Sequence, residues 1–121
     1  MPRRAYICSP LSGDIEGNIG RAKGYCRIAM DMGYVPYASH VYFTSFLDDT
    51  DPEQRAVGTR EGLFWLAMCQ EVFVFGDRIS EGMAAELELA SKLGLPITYF
   101  DASGNPVGTM FGAAFAAEAR P

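Results

Sequence analysis

The chain has 121 residues, of which 49% are hydrophobic, and a formal net charge of −5. This length predicts a single domain over residues 1–121, with its core at about 4–100 and a tail at 101–121. The acidic balance argues against a groove for nucleic acid polymers, which needs clustered Lys and Arg.

No apolar stretch reaches the ~18 residues of a membrane span, so we expect a soluble cytoplasmic protein with no membrane partner. The three cysteines, Cys8, Cys26 and Cys69, stand in apolar surroundings and are interpreted as reduced core thiols. His40 is the only histidine and there is no Cys-x-x-Cys, so we expect no metal site and no cofactor.

The first half of the chain alternates apolar runs with helical patterns. Residues 4–9 precede Pro10-Leu-Ser-Gly13, which predicts a strand followed by a tight loop. Asn18 is a candidate N-cap of a helix that ends at Gly33, and a short strand is expected at residues 34–37.

The middle of the chain carries an aromatic cluster and then a second long helix. Tyr42, Phe43 and Phe46 follow the second strand and predict a short helix or a lid. Asp51-Pro-Glu-Gln54 combines an N-cap, a proline at the first helical position and a capping-box partner. The helix that begins there is expected to run to about Cys69.

The last part of the chain contains two further strands. Val72-Phe-Val-Phe75 predicts a strand, and residues 80–93 predict a helix that Gly94 ends. Residues 96–100 form the fourth predicted strand. A turn follows, and the Ala-rich tail from Gly108 is expected to be a short helix or a frayed end.

Strands that alternate with helices predict an α/β fold. We expect a small doubly wound parallel sheet, Rossmann-like or flavodoxin-like, with helices on both faces, strand order 2-1-3-4 and room for an extra edge strand. In such sheets, ligands bind beyond the carboxyl ends of the strands where the strand order reverses. The loops at residues 9–13 and 76–82 are expected to meet there.

Glu86 is the most informative residue, because a helical wheel places it among apolar side chains. It lies about 60° from Met83 and about 40° from Ala90, whereas Glu81 and Glu88 fall on the opposite face. A carboxylate on an inner face is either paired or takes part in chemistry. Its position behind a loop of small residues favours a pocket.

The start of the same helix predicts an anion site. Ser80 can cap the helix, and its hydroxyl could join the free amides of Gly82 and Met83 around an anion. An ordinary N-cap explains the serine equally well. Gly82 lies one turn before Glu86 and leaves room above it for a ring-sized ligand.

These residues resemble the nucleoside 2-deoxyribosyltransferase-like superfamily, whose members break or exchange the N-glycosidic bond of deoxynucleosides or their monophosphates. The pattern is sparse and covers roughly residues 4–100. Within it, the chain looks closest to small bacterial and phage domains of unassigned function, near the branch that hydrolyses deoxynucleoside 5′-phosphates. The matching segments are Tyr6-Ile-Cys-Ser-Pro-Leu-Ser-Gly13, Pro36 to His40, Trp65 and Ser80-x-Gly82-x-x-x-Glu86.

The resemblance implies that Glu86 is the nucleophile that attacks the anomeric carbon and that Tyr6 orients it. It also implies that Ser80 contacts a phosphate, since the nucleoside transferases have an aspartate there and the hydrolase branch a serine. Ser9 and Ser12 could add hydroxyl donors beside Gly13.

Two positions depart from the family pattern. The family aspartate of the preceding helix falls on Gly62, with Glu61 next to it, and the wheel places Glu61 on an apolar face. Glu61 could supply a proton to the leaving group, or it could pair with Arg55 or Arg60. An arginine of the hydrolase branch falls on Ser12, so the phosphate charge would have to be met by Arg78, Arg60 or a neighbouring subunit.

Three further features have two interpretations each. His40 matches a histidine of the hydrolase branch and is either a ligand contact or a hydrogen-bonded structural residue. Asp77 could bind a ribose hydroxyl or be an exposed turn residue. The aromatic residues after the second strand could stack on a base or pack under a loop.

The sequence therefore favours an enzyme that hydrolyses or transfers the N-glycosidic bond of a small-molecule nucleotide or nucleoside. A non-catalytic nucleotide-binding module is the alternative, and a structural subunit with a vestigial pocket is the third interpretation. We also expect a homo-oligomer, with contacts through Phe111 and Phe115 in the tail and through Tyr42, Phe43 and Phe46.

Overall fold

The computed structural model describes residues 2–111. Its elements, in chain order, are β1 (Arg4–Cys8), α1 (Ile15–Asp31), β2 (Val35–Tyr37), α2 (Ser39–Phe43), α3 (Pro52–Ala67), β3 (Glu71–Phe75), α4 (Glu81–Lys92), β4 (Pro96–Phe100) and β5 (Pro106–Phe111).

The strands form one sheet in the order β2-β1-β3-β4-β5. The first three pairings are parallel, and β5 joins β4 antiparallel as an edge strand. The predicted α/β class, the doubly wound sheet and the 2-1-3-4 order are confirmed. Strand order reverses between β1 and β3, so the loops that leave these two strands meet at the carboxyl edge of the sheet.

The two faces of the sheet carry separate cores. Tyr6 and Cys8 point to the face that α3 and α4 cover, whereas Ala5 and Ile7 point to the face that α1 covers. Successive side chains of a strand alternate between faces, which explains this division. It also decides which residues of β1 can reach α4.

The helix α1 begins earlier than the sequence predicted. Asp14, not Asn18, is the N-cap, and its carboxylate accepts a hydrogen bond from the Gly17 amide. The reason is the bend at Gly13, whose positive φ of 98° lets the chain turn into the helix four residues sooner. Asn18 is buried in the first turn, where its side-chain amide donates to the Leu11 carbonyl at 2.9 Å.

The expected helix or frayed end after Gly108 is also wrong for the described part of the tail. Gly108 lies in β5 opposite Tyr99, because a hairpin turn at residues 101–105 returns the chain along β4. The side chain of Phe111 and all of Phe115 lie outside what the structure describes. Within residues 2–111, no helix is long and apolar enough to cross a membrane.

Candidate functional site

Glu86 lies on the inner face of α4 and is only 7% exposed, as the wheel predicted. Its Oε2 atom accepts a hydrogen bond from the Tyr6 hydroxyl, and its Oε1 atom accepts one from the Cys8 thiol at 3.3 Å. Tyr6 and Cys8 are two residues apart in β1, so both point to the same face of the sheet. The pairing thus joins the interior strand β1 to the helix α4.

Burial raises the pKa of Glu86 from 4.5 to about 7, although the hydrogen bonds from Tyr6 and Cys8 oppose the shift. The pKa of Tyr6 and that of Cys8 are both raised well above their ordinary values, first by burial and then by the nearby Glu86 charge. Both groups therefore keep their protons near neutral pH. They act as donors to the carboxylate.

A serine extends this chain of hydrogen bonds. The Ser39 hydroxyl lies 2.6 Å from the Tyr6 hydroxyl oxygen. Because Tyr6 gives its own proton to Glu86, we assign Ser39 as the donor to Tyr6. The three side chains form a buried relay in which each group orients the next.

Gly62 makes room for this relay. A Cβ atom at position 62 would lie 3.1 Å from the Ser39 Oγ atom and 3.5 Å from the Tyr6 hydroxyl. Ser39 thus occupies the space that a side chain on α3 would fill. Gly62, the position at which the resemblance implies an aspartate, therefore lies beside Ser39 and Tyr6.

A pocket opens above Glu86 at the carboxyl edge of the sheet. The first loop, α2, α3 and the start of α4 all contribute to its walls. Besides Glu86, it is lined by Leu11, Ser12, Ser39, His40, Phe43, Thr44, Asp49, Arg55, Gly58, Thr59, Gly62, Leu63, Ser80, Gly82 and Ala85.

Ser80 caps α4 at the mouth of this pocket. Its hydroxyl accepts a hydrogen bond from the Met83 amide at 3.3 Å, and the Met83 sulfur accepts one from the Ser80 amide. The expectation that the Met83 amide is free for an anion is therefore wrong, since the cap uses it. The Met83 side chain is buried in the core, whereas Gly82 is exposed and lines the pocket.

His40 lines the same pocket and is held by the first loop. Its Nε2 atom lies 3.0 Å from the Ser9 carbonyl oxygen. A carbonyl only accepts, so Nε2 carries the proton and Nδ1 is the unprotonated nitrogen of the neutral ring. Burial lowers the pKa of His40, which favours that neutral form at neutral pH.

Two charged residues of the pocket wall were not expected there. Arg55 is on the first turns of α3, and Asp49 is in the loop that precedes this helix. Arg60 and Arg78 were the expected cations, but Arg60 approaches Glu61 at 3.9 Å and Arg78 lines a different pocket.

Ser9 and Asp77 belong to that different pocket, on the α1 side of the sheet. It lies between the loops after β1 and β3, with Arg21 and Tyr25 of α1 in its wall. The Ser9 side chain follows Cys8 and therefore points to the opposite face from Glu86. Gly13 is exposed at the bend before α1. The structure does not bring these three residues to the Glu86 pocket wall.

The expectation that Glu61 faces the apolar side of α3 is wrong. Its side chain is 49% exposed, and the neighbouring Phe64 is 66% exposed. The buried residues of α3 are Gly62 and Leu66, so the wheel placed the inner face on the wrong side. Large apolar residues lie on the solvent side of α3 and a glycine lies on its packed side, so a wheel that follows hydrophobicity selects the wrong face.

Sequence reasoning missed four members of the site: Cys8, Ser39, Asp49 and Arg55. Two of them carried a usable signal. Cys8 is two residues after Tyr6 in a strand, and Arg55 is seven residues before Gly62 on the same helical face. Ser39 and Asp49 lie where only the tertiary packing of α2 and α3 brings them to the pocket.

No group of three or more His, Cys, Asp or Glu side chains in residues 2–111 is arranged to hold a metal ion. The donors that surround Glu86 are a phenol, a thiol and, one step further, a serine hydroxyl.

The comparisons with known proteins give a family and a fold. The model of a domain of unknown function, DUF7768, matches residues 3–100, and the chain belongs to this family. No curated protein sequence matches it. Its structure is similar to that of a 2-deoxyribosyltransferase from the psychrotolerant bacterium Bacillus psychrosaccharolyticus, with a TM-score of 0.62 and 19% identity over 87% of this chain and 77% of that chain. At this identity the likeness establishes a shared fold.

The buried carboxyl group makes stability depend on pH. Between pH 4.5 and about 7 the unfolded chain has lost the Glu86 proton and the folded chain still holds it, so folding stability falls as pH rises through this window. Glu86→Gln removes the titration and keeps an acceptor for Tyr6. From pH 5 to pH 8, we expect the wild type to lose about 2 to 3 kcal/mol of unfolding free energy relative to Glu86→Gln.

Urea unfolding of both proteins across this pH range measures the difference. Glu88→Gln is the matched control, because Glu88 is exposed on the same helix and pairs with Lys92 at 3.3 Å. Parallel pH profiles for the wild type and Glu86→Gln would contradict a raised pKa at Glu86.

Proposed function

We propose that this member of the DUF7768 family cleaves or transfers the N-glycosidic bond of a nucleoside or nucleotide, with Glu86 as the nucleophile. The observation that supports this most is a carboxylate held at a pocket, almost fully buried, by two donors that stay protonated. A buried carboxylate costs stability, and its retention at a pocket points to a functional role.

In the proposed reaction, a Glu86 oxygen attacks the anomeric carbon of the sugar. The carbon–nitrogen bond breaks, and the base leaves with the electron pair and takes up a proton from water. Water or a second base then attacks the same carbon, loses a proton to the hydroxide that the first step left, and releases the Glu86 carboxylate. Two displacements at one carbon retain the configuration of the sugar.

The two Glu86 oxygens are unequal in this scheme. Oε2 accepts from the Tyr6 hydroxyl, whereas Oε1 accepts only from the Cys8 thiol, which is a weak donor. Oε1 keeps more of the negative charge and is the proposed attacking atom. Ser39 acts through Tyr6 by fixing the direction of its hydroxyl proton.

A phosphate-bearing substrate is the proposed preference. Ser12, Ser80 and Gly82 line the pocket at the start of α4, where the first amides of a 12-residue helix favour an anion. Arg55, on α3, adds a cation to the same pocket. It takes the role for which the sequence suggested Arg60 or Arg78.

A non-catalytic nucleotide-binding module is the second candidate. Gly62 carries no carboxylate, and the exposed Glu61 leaves the site without the expected acid on α3. A binding protein would need the pocket but not an ionised Glu86.

We expect that Glu86→Gln lowers the release of free base by about 1,000-fold or more, because an amide of the same shape is not a nucleophile. The wild-type value of kcat/KM should rise about tenfold per pH unit below the pKa of about 7 and level off above it. Chromatography of free base, after incubation with a panel of nucleosides and nucleotides, measures both effects.

Glu88→Gln should keep the wild-type rate in the same assay. If the Glu86→Gln variant releases base within a few-fold of the wild type, another group is the nucleophile. Binding of panel members without base release by the wild type would favour the non-catalytic module.

We expect 5′-monophosphates to bind more tightly than the matching nucleosides. Arg55→Ala should lower the affinity for the monophosphates about tenfold, because a charge-assisted hydrogen bond is lost. The affinity for the nucleosides should stay nearly unchanged. Ser80→Asp should reverse the preference, since aspartate keeps the helix cap but repels a phosphate.

Isothermal titration calorimetry measures these affinities. Arg60→Ala is the matched control, because Arg60 is exposed on the same helix and lies beside Glu61. Equal affinity of the wild type for phosphorylated and unphosphorylated ligands would contradict the proposed preference for a phosphate-bearing substrate.

We also propose that the protein is a homo-oligomer. Tyr42, Phe46, Phe64 and Met68 are all about half exposed or more, and the Tyr42 ring packs on that of Phe46 beside α2. Phe43, which the sequence suggested as a contact, is buried and packs on Trp65 instead. The exposed rings lie on the elements that wall the pocket, so a second copy there would border the site.

Light scattering at micromolar concentration should therefore give a mass of at least two chains. Phe46→Lys should shift the mass toward one chain, whereas Met30→Lys, on the exposed side of α1, should not. A wild-type monomer with full activity would refute both the assembly and the shared pocket.

A further inference from the structure

Asp49 carries a carboxylate oxygen that has no visible use within the protein. Its Oδ2 atom is shielded from solvent and has no hydrogen-bond partner among the described residues. The same residue lines the pocket above Glu86. A shielded carboxylate oxygen without a donor is costly. The terminal torsion of an aspartate is soft, so a small rotation can turn this oxygen toward the pocket, where a ligand donor would meet it.

The loop around Asp49 is built to hold it in place. Of its three aspartates, Asp48 accepts hydrogen bonds from the Thr50 amide and hydroxyl, and Asp51 caps α3. Gln54 ties the two together, since it accepts from the Asp48 amide and donates to the Asp51 carboxylate. The local backbone thus uses the carboxylates on either side of Asp49.

The neighbouring charged groups do not pair with the Asp49 carboxylate either. Arg55 and Asp49 shift the pKa of His40 in opposite directions, so both act on the same ring. No ion pair joins Arg55 to Asp49 among the described residues, and the Nε2 proton of His40 goes to the Ser9 carbonyl. The pocket therefore presents a cation and an unpaired acceptor at separate places.

We propose that Asp49 is a specificity-determining residue that accepts a hydrogen bond from an N–H or O–H group of the bound ligand. The inference rests on the proposed function, which puts a nucleoside or nucleotide in this pocket. The donor is either an N–H of the base or a hydroxyl of the sugar. A ligand without such a donor would leave the Asp49 oxygen unpaired and bind more weakly.

Calorimetry with the full chain tests this assignment. The ligands are the four deoxynucleoside 5′-monophosphates and 2-deoxyribose 5-phosphate, which has no base. Asp49→Ala should lower the affinity for at least one of the four nucleotides by about 10- to 100-fold, as expected for a lost hydrogen bond to a charged group. Asp49→Asn, which keeps an acceptor oxygen without the charge, should lose less.

The sugar phosphate distinguishes the two donors. If the donor is a base N–H, Asp49→Ala should leave the affinity for 2-deoxyribose 5-phosphate unchanged. If the donor is a sugar hydroxyl, the affinity for 2-deoxyribose 5-phosphate should fall as it does for the nucleotides. Asp31→Ala, in an exposed part of α1, is the control and should bind all ligands as the wild type does. Circular dichroism checks that each variant is folded.

Wild-type affinity of both Asp49 variants for every ligand would overturn the assignment, even if the wild type releases base. Conversely, the wild type could bind a ligand in a way that depends on Asp49 and yet release no base. That result would support the assignment of Asp49 and contradict the nucleophilic role proposed for Glu86. If the wild type binds no ligand of the panel, both proposals fall.

Discussion

The hydrogen bond from Tyr6 to Glu86 is the constraint on which the site depends. It joins the interior strand β1 to α4, and it fixes a carboxylate where the sheet, α2 and α3 exclude water. The neighbouring parts follow from it. Ser39 must give its proton to Tyr6, and Gly62 must lack a side chain for Ser39 to fit. A change at any of these positions would reach Glu86 through the relay.

This arrangement is a compromise between stability and reactivity. Two donors hold the carboxylate, yet they do not offset its burial, and the pKa of Glu86 rises to about 7. A glutamine at position 86 could keep the hydrogen bond from Tyr6 without a buried charge. Proteins commonly retain such unfavourable groups where function needs them. The electrostatics therefore support a functional Glu86 more strongly than its position on a helical wheel does.

The sequence predicted the alternation of strands and helices and the burial of Glu86 because both follow from local periodicity, whereas the strand order 2-1-3-4 was expected from the doubly wound fold type that the alternation indicates. The apolar stripe of α4 is dense, so a single carboxylate within it stands out. Periodicity failed on α3, whose packed side has Gly58 and Gly62 against α2 beside the buried Leu66, while Phe64 faces solvent. A wheel weighted by side-chain hydrophobicity cannot recognise a face on which small size, and not apolar area, allows the close approach of two helices.

The two charged residues of the pocket, Asp49 and Arg55, could not be predicted from the local sequence for a different reason. Asp49 resembles its neighbours Asp48 and Asp51 in the sequence, and only their hydrogen bonds show that the other two are used by the backbone. Arg55 likewise differs from Arg60 only in the side of α3 that it occupies. Because the two opposite charges line one pocket without pairing, a ligand that satisfies both must present an acceptor and a donor at separate points. A nucleotide has this combination, since its phosphate accepts and its base or sugar donates.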